Sequence, residues 1–286
     1  MIQKVNRKSF KIRESGRSTD YISPSFGHGC LYNCSYCYMK RNKPVGLSVA
    51  TNTDDILTAI NSHAWFAQME AIKPNQTHPV YITYDISCNE DFALHAKYHE
   101  WRKIFTFFKD HDIAMGSFAT KYVNPDLTAF DPEGKVRLRF SLMPQHKADI
   151  HEPNTSKIID RIKAIDAFID AGYDVHINYS PIIIYDGWLK DYKELFEMVG
   201  DYVTYKDQVL SECIFLTHNE NRHEYNLKDN PKAEDDLWTS QWQEPKKSQY
   251  GGKNIRYRSG MKKELINRFQ GVHKKMIPWN TIRYIF

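Results

Sequence analysis

The sequence predicts an α/β protein built around a parallel sheet, on three observations. Short β-rich runs recur along the chain. Segments with a helical spacing of apolar residues lie between them. Of the 286 residues 41% are hydrophobic and 14% aromatic, enough for one large core or two small ones. The runs are VYITYDIS (80–87), DIAMGSFA (112–119), VRLRFSLM (136–143), DVHINYSPIII (174–184) and QVLSECIFL (208–216). Strand–helix units of this length imply either an open doubly wound sheet or a full or partial barrel.

Residues 1–20 read as a basic N-terminal segment, with six Lys or Arg against one acidic residue in the first 17. The main body is expected over 21–216. Within it Phe92, Tyr98, Trp101, Phe105 and Phe108 fall near one helical face, as do Ile158, Ile162, Ile165 and Ile169, and then Trp188, Tyr192, Leu195 and Val199. Thr155 or Asn154 is placed to cap a helix over 156–170, and Gly172 to end it. Residues 217–286 form a C-terminal extension of the same globular unit. It is polar and rich in Asn, Pro and Lys up to residue 260, with a hairpin expected from Tyr250 to Arg258. A helix over about 261–276 and a β-like end, Thr281 to Phe286, close the chain.

No stretch approaches the roughly 20 apolar residues of a membrane span, and the first 17 residues lack the apolar core of a signal peptide, so a cytoplasmic location is expected. Of five cysteines, three lie within eight residues, which suits reducing conditions and metal binding better than a disulfide framework. The net charge of +4 is unevenly spread: residues 243–275 hold ten Lys or Arg against Glu244 and Glu264. Two basic ends around an acidic middle suggest a polyanion such as nucleic acid, although solvated basic faces are common.

The chemistry-bearing motif is Cys30-Leu-Tyr-Asn-Cys34-Ser-Tyr36-Cys37-Tyr38, where Gly27 and Gly29 let the backbone turn tightly just before the first thiol. Three thiolates bind three irons of a 4Fe–4S cubane and leave the fourth open for a cofactor. A zinc site completed by His28 is the competing reading, but the trio lacks the paired C-x2-C arrangement of most zinc modules.

The C-x3-C-x2-C spacing with an aromatic residue before the last Cys resembles the radical S-adenosylmethionine superfamily. In that superfamily the open iron chelates the methionine moiety, and electron transfer cleaves the sulfonium to a 5′-deoxyadenosyl radical. From about Ser23 onward the chain resembles the spore photoproduct lyase family. The matching segments are Cys-Ser-Tyr-Cys-Tyr at the cluster, Cys88, Ala119-Thr-Lys121, Arg139-Phe-Ser141 and Asp170-Ala-Gly-Tyr173. They continue through Ser180-Pro-Ile, Gly187-Trp188, Tyr192-Lys-Glu-Leu-Phe196 and Tyr250-Gly251. The resemblance implies a partial (β/α)6 barrel of the TIM type, and so chooses the barrel over the open sheet.

The resemblance also implies a reaction. Hydrogen is taken from C6 of a thymine photoproduct in DNA, the methylene bridge breaks, and Cys88 donates hydrogen to the resulting radical. Tyr36 and Tyr38 match tyrosines implicated in returning the hydrogen, and Tyr36 also sits where the superfamily contacts adenine. Lys121 and Ser141 match positions that hold the methionine end. Glu90 stands where many superfamily members place a glutamate against the cofactor's amino group. Lys246, Lys247, Tyr250, Lys253, Arg256, Tyr257 and Arg258 form the expected DNA contact, the cations on phosphates and the tyrosines against an opened base stack. The expected partners are lesion-bearing DNA and an electron donor such as flavodoxin or ferredoxin, with no membrane.

Cys88-Asn89-Glu90 replaces the Cys-Thr-Ser of the spore enzymes, Met143-Pro-Gln-His146 differs from their segment, and less sequence precedes the cluster. Two other functions remain open at this point. One is a radical enzyme acting on another modified base or nucleoside in DNA or RNA, and the other a non-catalytic iron–sulfur module that binds nucleic acid. Formation of 5′-deoxyadenosine separates the second from both enzymes.

Overall fold

A computed structural model describes residues 2–39, 46–239, 241–247 and 253–286. Five strands come first: β1 (Ile2–Val5), β2 (Arg13–Glu14), β3 (Tyr21–Ile22), β4 (Gly27–Gly29) and β5 (Leu47–Ala50). Then follow α1 (Thr53–Met69), β6 (Ile82–Asp85), α2 (Phe92–His95), α3 (Trp101–Asp110), β7 (Ala114–Thr120), β8 (Val136–Ser141), α4 (Gln145–His151), α5 (Ile158–Asp170), β9 (Asp174–Ile182) and α6 (Trp188–Tyr202). The last elements are β10 (Leu210–Phe215), β11 (Thr217–Asn219), α7 (Glu220–Asp229), α8 (Pro231–Leu237), β12 (Gln243–Lys247), β13 (Lys253–Tyr257), α9 (Ser259–Met276) and β14 (Thr281–Ile285).

The main sheet has the order β14-β10-β9-β8-β7-β6-β3-β2. From β3 to β10 each strand lies beside its predecessor in the sheet. That is the order of a partial (β/α) barrel, because a doubly wound sheet reverses direction at a switch point. The pairs β3–β6, β6–β7, β7–β8 and β10–β14 are parallel, and β2 closes one edge antiparallel to β3.

The chain divides into two compact units. The first comprises residues 1–31, 43–140 and 164–176, and the second residues 32–42, 141–163 and 177–286. In the first, the fully buried rings of Phe92, Phe105 and Phe118 pack with centroids 5.5–5.9 Å apart. In the second, Tyr179, Tyr192 and Phe196 pack around Phe269 of α9.

The apolar face expected over Phe92–Phe108 is not one helix. His99 is extended (φ −99°, ψ 161°), which separates α2 and a 3-10 turn (Ala96–Tyr98) from α3. That break lets His99 fold back, its ring stacked on Phe92 at 5.0 Å. The helix expected over 156–170 spans Ile158–Asp170, and its cap differs from expectation. Gln145 Oε1 accepts the Ile158 N–H at 2.7 Å, while the Thr155 hydroxyl donates to the Glu152 carbonyl. Gly172 ends the helix as expected, at φ +87°. Its N–H reaches the Ile169 carbonyl and the Tyr173 N–H the Phe168 carbonyl, with the Phe168 and Tyr173 rings in contact, which is a Schellman motif. The 217–260 stretch holds more than a hairpin. α7 and α8 start at Asn219 and Asn230, whose side chains accept from the N–H groups of Arg222 and Ala233.

Candidate functional site

In the first unit, β4 leads straight into Cys30. Gly29 has φ +104°, a conformation that favours glycine, and its N–H donates to the Asn89 carbonyl at 3.0 Å. Asn89 belongs to a turn closed by the Glu90 N–H on the Ser87 carbonyl at 3.1 Å, and Cys88 is the other central residue of that turn. Cys30 and Cys88 are thus each next in sequence to one end of the same backbone hydrogen bond. A second tie runs from the Asn89 amide to the Ser25 hydroxyl.

Glu90, expected against the cofactor's amino group, is enclosed among the described residues. Its side chain is 0% exposed, and its Oε2 lies 2.9 Å from both His95 Nδ1 and His99 Nε2. The carboxylate packs against Gly27, where an added Cβ would lie 2.2 Å from it. Burial works to raise the Glu90 pKa, but the charge of His99 and the hydrogen bonds of both histidines outweigh it and hold the carboxyl below its ordinary value. His95 Nε2 in turn accepts the Leu31 N–H at 3.3 Å, so this carboxylate steadies the backbone next to Cys30.

Cys88, Lys121 and Ser141 sit at or just beyond the C-terminal ends of β6, β7 and β8, where barrel sites are built. Asp91 aligns the second of these. One of its oxygens accepts the Thr120 hydroxyl at 2.7 Å and the other the Lys121 N–H at 2.9 Å. Ser141 is buried, and Asn178 Nδ2 donates to its hydroxyl at 3.4 Å.

In the second unit, the loop carrying Cys34 and Cys37 is held at Ser35. Its N–H donates to the His151 carbonyl (2.9 Å) and its hydroxyl shares a hydrogen bond with His151 Nδ1 (2.8 Å). Its carbonyl accepts from Arg222 Nε (2.8 Å) and Asn226 Nδ2 (2.9 Å) of α7. Two carboxylates of α8 back this arrangement. Asp236 meets His151 Nε2 at 3.2 Å and Lys147 Nζ at 2.8 Å, and Glu234 accepts from Asn226 at 2.7 Å while pairing with His218 and His223. The ligand atoms of His218, His223 and Glu234 come within 4.8 Å of one another, and Glu234 pairs with His218 Nε2 and His223 Nδ1.

Tyr36 is fastened as well. Its hydroxyl donates to Glu152 Oε1, and Glu152 Oε2 pairs at 2.9 Å with Arg161, both side chains being fully buried. Burial and the Glu152 charge hold the phenol well above its ordinary pKa, so it stays protonated. Tyr38 is 46% exposed. None of the cysteines is in a disulfide. Cys213 is fully buried in β10, where burial pushes its thiol well above the ordinary value, and it is core, as its apolar run predicts.

The expected DNA contact is altered by the structure. β12 and β13 pair antiparallel, so the hairpin begins at Gln243 and the expected 250–258 span holds, among the described residues, only its second strand; strand alternation splits the cations between faces. Lys247 and Lys253 share one side, and Lys246 and Arg256 the other. Glu244 pairs with Lys246 (2.9 Å) and Arg258 (3.4 Å), and Glu220 lies 3.8 Å from Lys253. Tyr257 cannot wedge into a base stack, because it is 3% exposed and its hydroxyl oxygen accepts the Ile184 N–H at 3.0 Å. Tyr250 lies outside the described residues. The sequence reading missed His95, His99, His151, Glu152, Arg161, Arg222 and Asn226. Each acts through contacts that only the folded chain brings together, and no spacing in the sequence marked them.

The sequential strand order and the three-thiol C-x3-C-x2-C loop define the class as the radical S-adenosylmethionine superfamily. The model of the spore photoproduct lyase family matches residues 3–286. The chain belongs to the spore photoproduct lyase family. It is 29% identical over 196 residues to spore photoproduct lyase from Bacillus subtilis (strain 168), covering 67% of this chain and 54% of that protein. With the enzyme from Clostridium acetobutylicum it is 24% identical over 198 residues, covering 68% and 56%. The chain therefore spans about half the length of these curated relatives. Two solved structures share the fold over 100% of this chain and 82% of theirs. One is spore photoproduct lyase complexed with dinucleoside spore photoproduct, at TM-score 0.86 and 23% identity. The other is a cysteine-to-alanine mutant with the same dinucleoside, at TM-score 0.87 and 24% identity.

Among the described residues no helix is long and apolar enough to cross a membrane.

Proposed function

We propose that this chain is a radical S-adenosylmethionine lyase that returns a thymine photoproduct in DNA to two thymines, in the cytoplasm and with reducing power from flavodoxin or ferredoxin. The observation that supports this most is the Gly29–Asn89 hydrogen bond, which ties the backbone of the first cluster cysteine to the turn of Cys88.

The residues present fit a 4Fe–4S cluster. Cys30, Cys34 and Cys37 would hold it, and the positive Arg222 lies close enough to Cys34 and Cys37 to offset the charge of their thiolates. When bound, the reduced cluster with S-adenosylmethionine supplies abstraction of the C6 hydrogen of the lesion. Cys88 then gives its thiol hydrogen to the product radical, and Tyr36 and Tyr38 serve the return of hydrogen. Lys121 and Ser141 face the methionine end of the cofactor.

Anaerobic reconstitution followed by reduction with dinucleoside spore photoproduct present tests the reading. The expected result is about four irons per chain, with 5′-deoxyadenosine formed and the dinucleoside lesion converted to its two thymidine units. Loss of all three in the Cys30→Ala, Cys34→Ala, Cys37→Ala variant supports it, and cleavage of S-adenosylmethionine surviving in that variant refutes it.

A further inference from the structure

A cavity within the first unit lies along the N-terminal segment rather than at the hairpin. Its volume is about 530 Å3, within the range of built ligand sites, and Arg7, Lys8, Ser9, Lys11, Arg13 and His28 line it. Arg7 is a fixed wall of this cavity. Its guanidinium donates to the Ser25 carbonyl (3.1 Å) and the Ser48 carbonyl (2.8 Å), and its backbone N–H to Asn52 Oδ1 (2.8 Å). Lys8, Lys11 and Arg13 are exposed and form no ion pair among the described residues, whereas the hairpin cations Lys246, Lys253 and Arg258 each have a carboxylate partner.

We infer that this cavity binds the phosphodiester backbone of the DNA strand carrying the lesion. The inference rests on the lyase reading and adds the place where the strand is held. Three unneutralised cations lining one concave, hydroxyl-bearing surface suit a phosphodiester strand, whose charges follow one another along a narrow chain, better than the broad convex face of an acidic protein. The far wall, Ser23 to His28, runs into Gly29 and Cys30, and Ser25 is bonded to Asn89 beside Cys88. A strand lying here passes next to the cysteine turn.

The test is fluorescence anisotropy of a labelled oligothymidylate over a salt series, without cofactor turnover. Changing Lys8, Lys11 and Arg13 together to Gln is expected to weaken binding at least about 30-fold near 0.1 M salt, and to reduce the slope of log K against log salt by about 2. Thermal midpoint and iron content should stay at parental values, and the charge-preserving set Lys8→Arg, Lys11→Arg, Arg13→Lys should keep binding. Gln at Lys246, Lys247 and Lys253 should cost less. Parental affinity and slope in the Lys8, Lys11, Arg13 variant overturn the inference, as does a loss confined to reduction by flavodoxin, which would assign the cavity to an acidic protein. A parent that binds through this cavity yet leaves dinucleoside spore photoproduct unrepaired refutes the lyase reading alone.

Discussion

Replacing Gly27 by Ala probes how firmly Glu90 is held. The new Cβ would lie 2.2 Å from the carboxylate carbon and both its oxygens, against an ordinary contact of 3.4 Å or more, so the carboxylate must retreat by about 1.2 Å. Nothing else at this glycine forbids a side chain, since its backbone is not in the left-handed region. A retreat of that size breaks the two 2.9 Å contacts to His95 and His99 in a site with no solvent to replace them. Hydrogen bonds to charged groups contribute about 1.5–3 kcal/mol each, so with partial relaxation the expected loss is about 3 kcal/mol. The control is the same change in a Glu90→Ala background, where the space is vacant and the added cost should fall below about 0.5 kcal/mol. Urea denaturation of the four proteins gives the coupling energy, expected at about 2.5 kcal/mol. Equal costs of Gly27→Ala in both backgrounds would refute the packing argument.

Other changes test the rest of the framework. Asn226→Leu removes one donor from the Ser35 carbonyl and one from Glu234, and should cost about 2 kcal/mol and lower iron retention, read by chemical denaturation and iron assay. Asp236 is held at about 2 against its ordinary 3.8, mainly by the His151 hydrogen bond with help from Lys147 and against burial. Its stabilisation is therefore complete above pH 4 and lost as pH falls through 2. Asp236→Asn should remove up to about 2 kcal/mol from that acid limb, seen as a shallower loss of circular dichroism between pH 4 and 2. Tyr257→Phe strands the Ile184 N–H and should cost about 1–2 kcal/mol in thermal stability while leaving DNA affinity unchanged. Cys88→Ala should keep iron and cofactor cleavage but divert the substrate radical to abnormal adducts, detected by chromatography of the products.

The main sheet was legible because its strands are short β-rich runs such as 136–143, where Val136, Leu138 and Phe140 alternate with Arg137, Arg139 and Ser141, and the metal loop because thiol spacing is local. What escaped was set by contacts that a periodic pattern does not show, whether a local break in a helix or a partner far along the chain. Glu90 offered a carboxylate in a plausible place, but its orientation depends on His95 and His99, which reach it only because the chain breaks at His99. The 220–237 helices carry too few apolar residues to show a period, and they are held by Asn219, Asn230 and the buried Glu234. Composition marked the hairpin as basic, yet period-2 alternation sends its charges to opposite faces. The N-terminal cations were counted as charge, but their convergence on one cavity is a property of the folded chain.

The four hydrogen bonds at Ser35 also order events during synthesis. Two come from the chain around residue 151 and two from Arg222 and Asn226, so the cysteine loop, made early, lacks its final supports until residue 226 has left the ribosome. Until then the segment of Cys34 and Cys37 lacks the two hydrogen bonds that Arg222 and Asn226 give to the Ser35 carbonyl. Afterwards the same segment is clamped from two directions. A metal loop clamped by α7 is therefore complete only once the C-terminal third of the chain has been made.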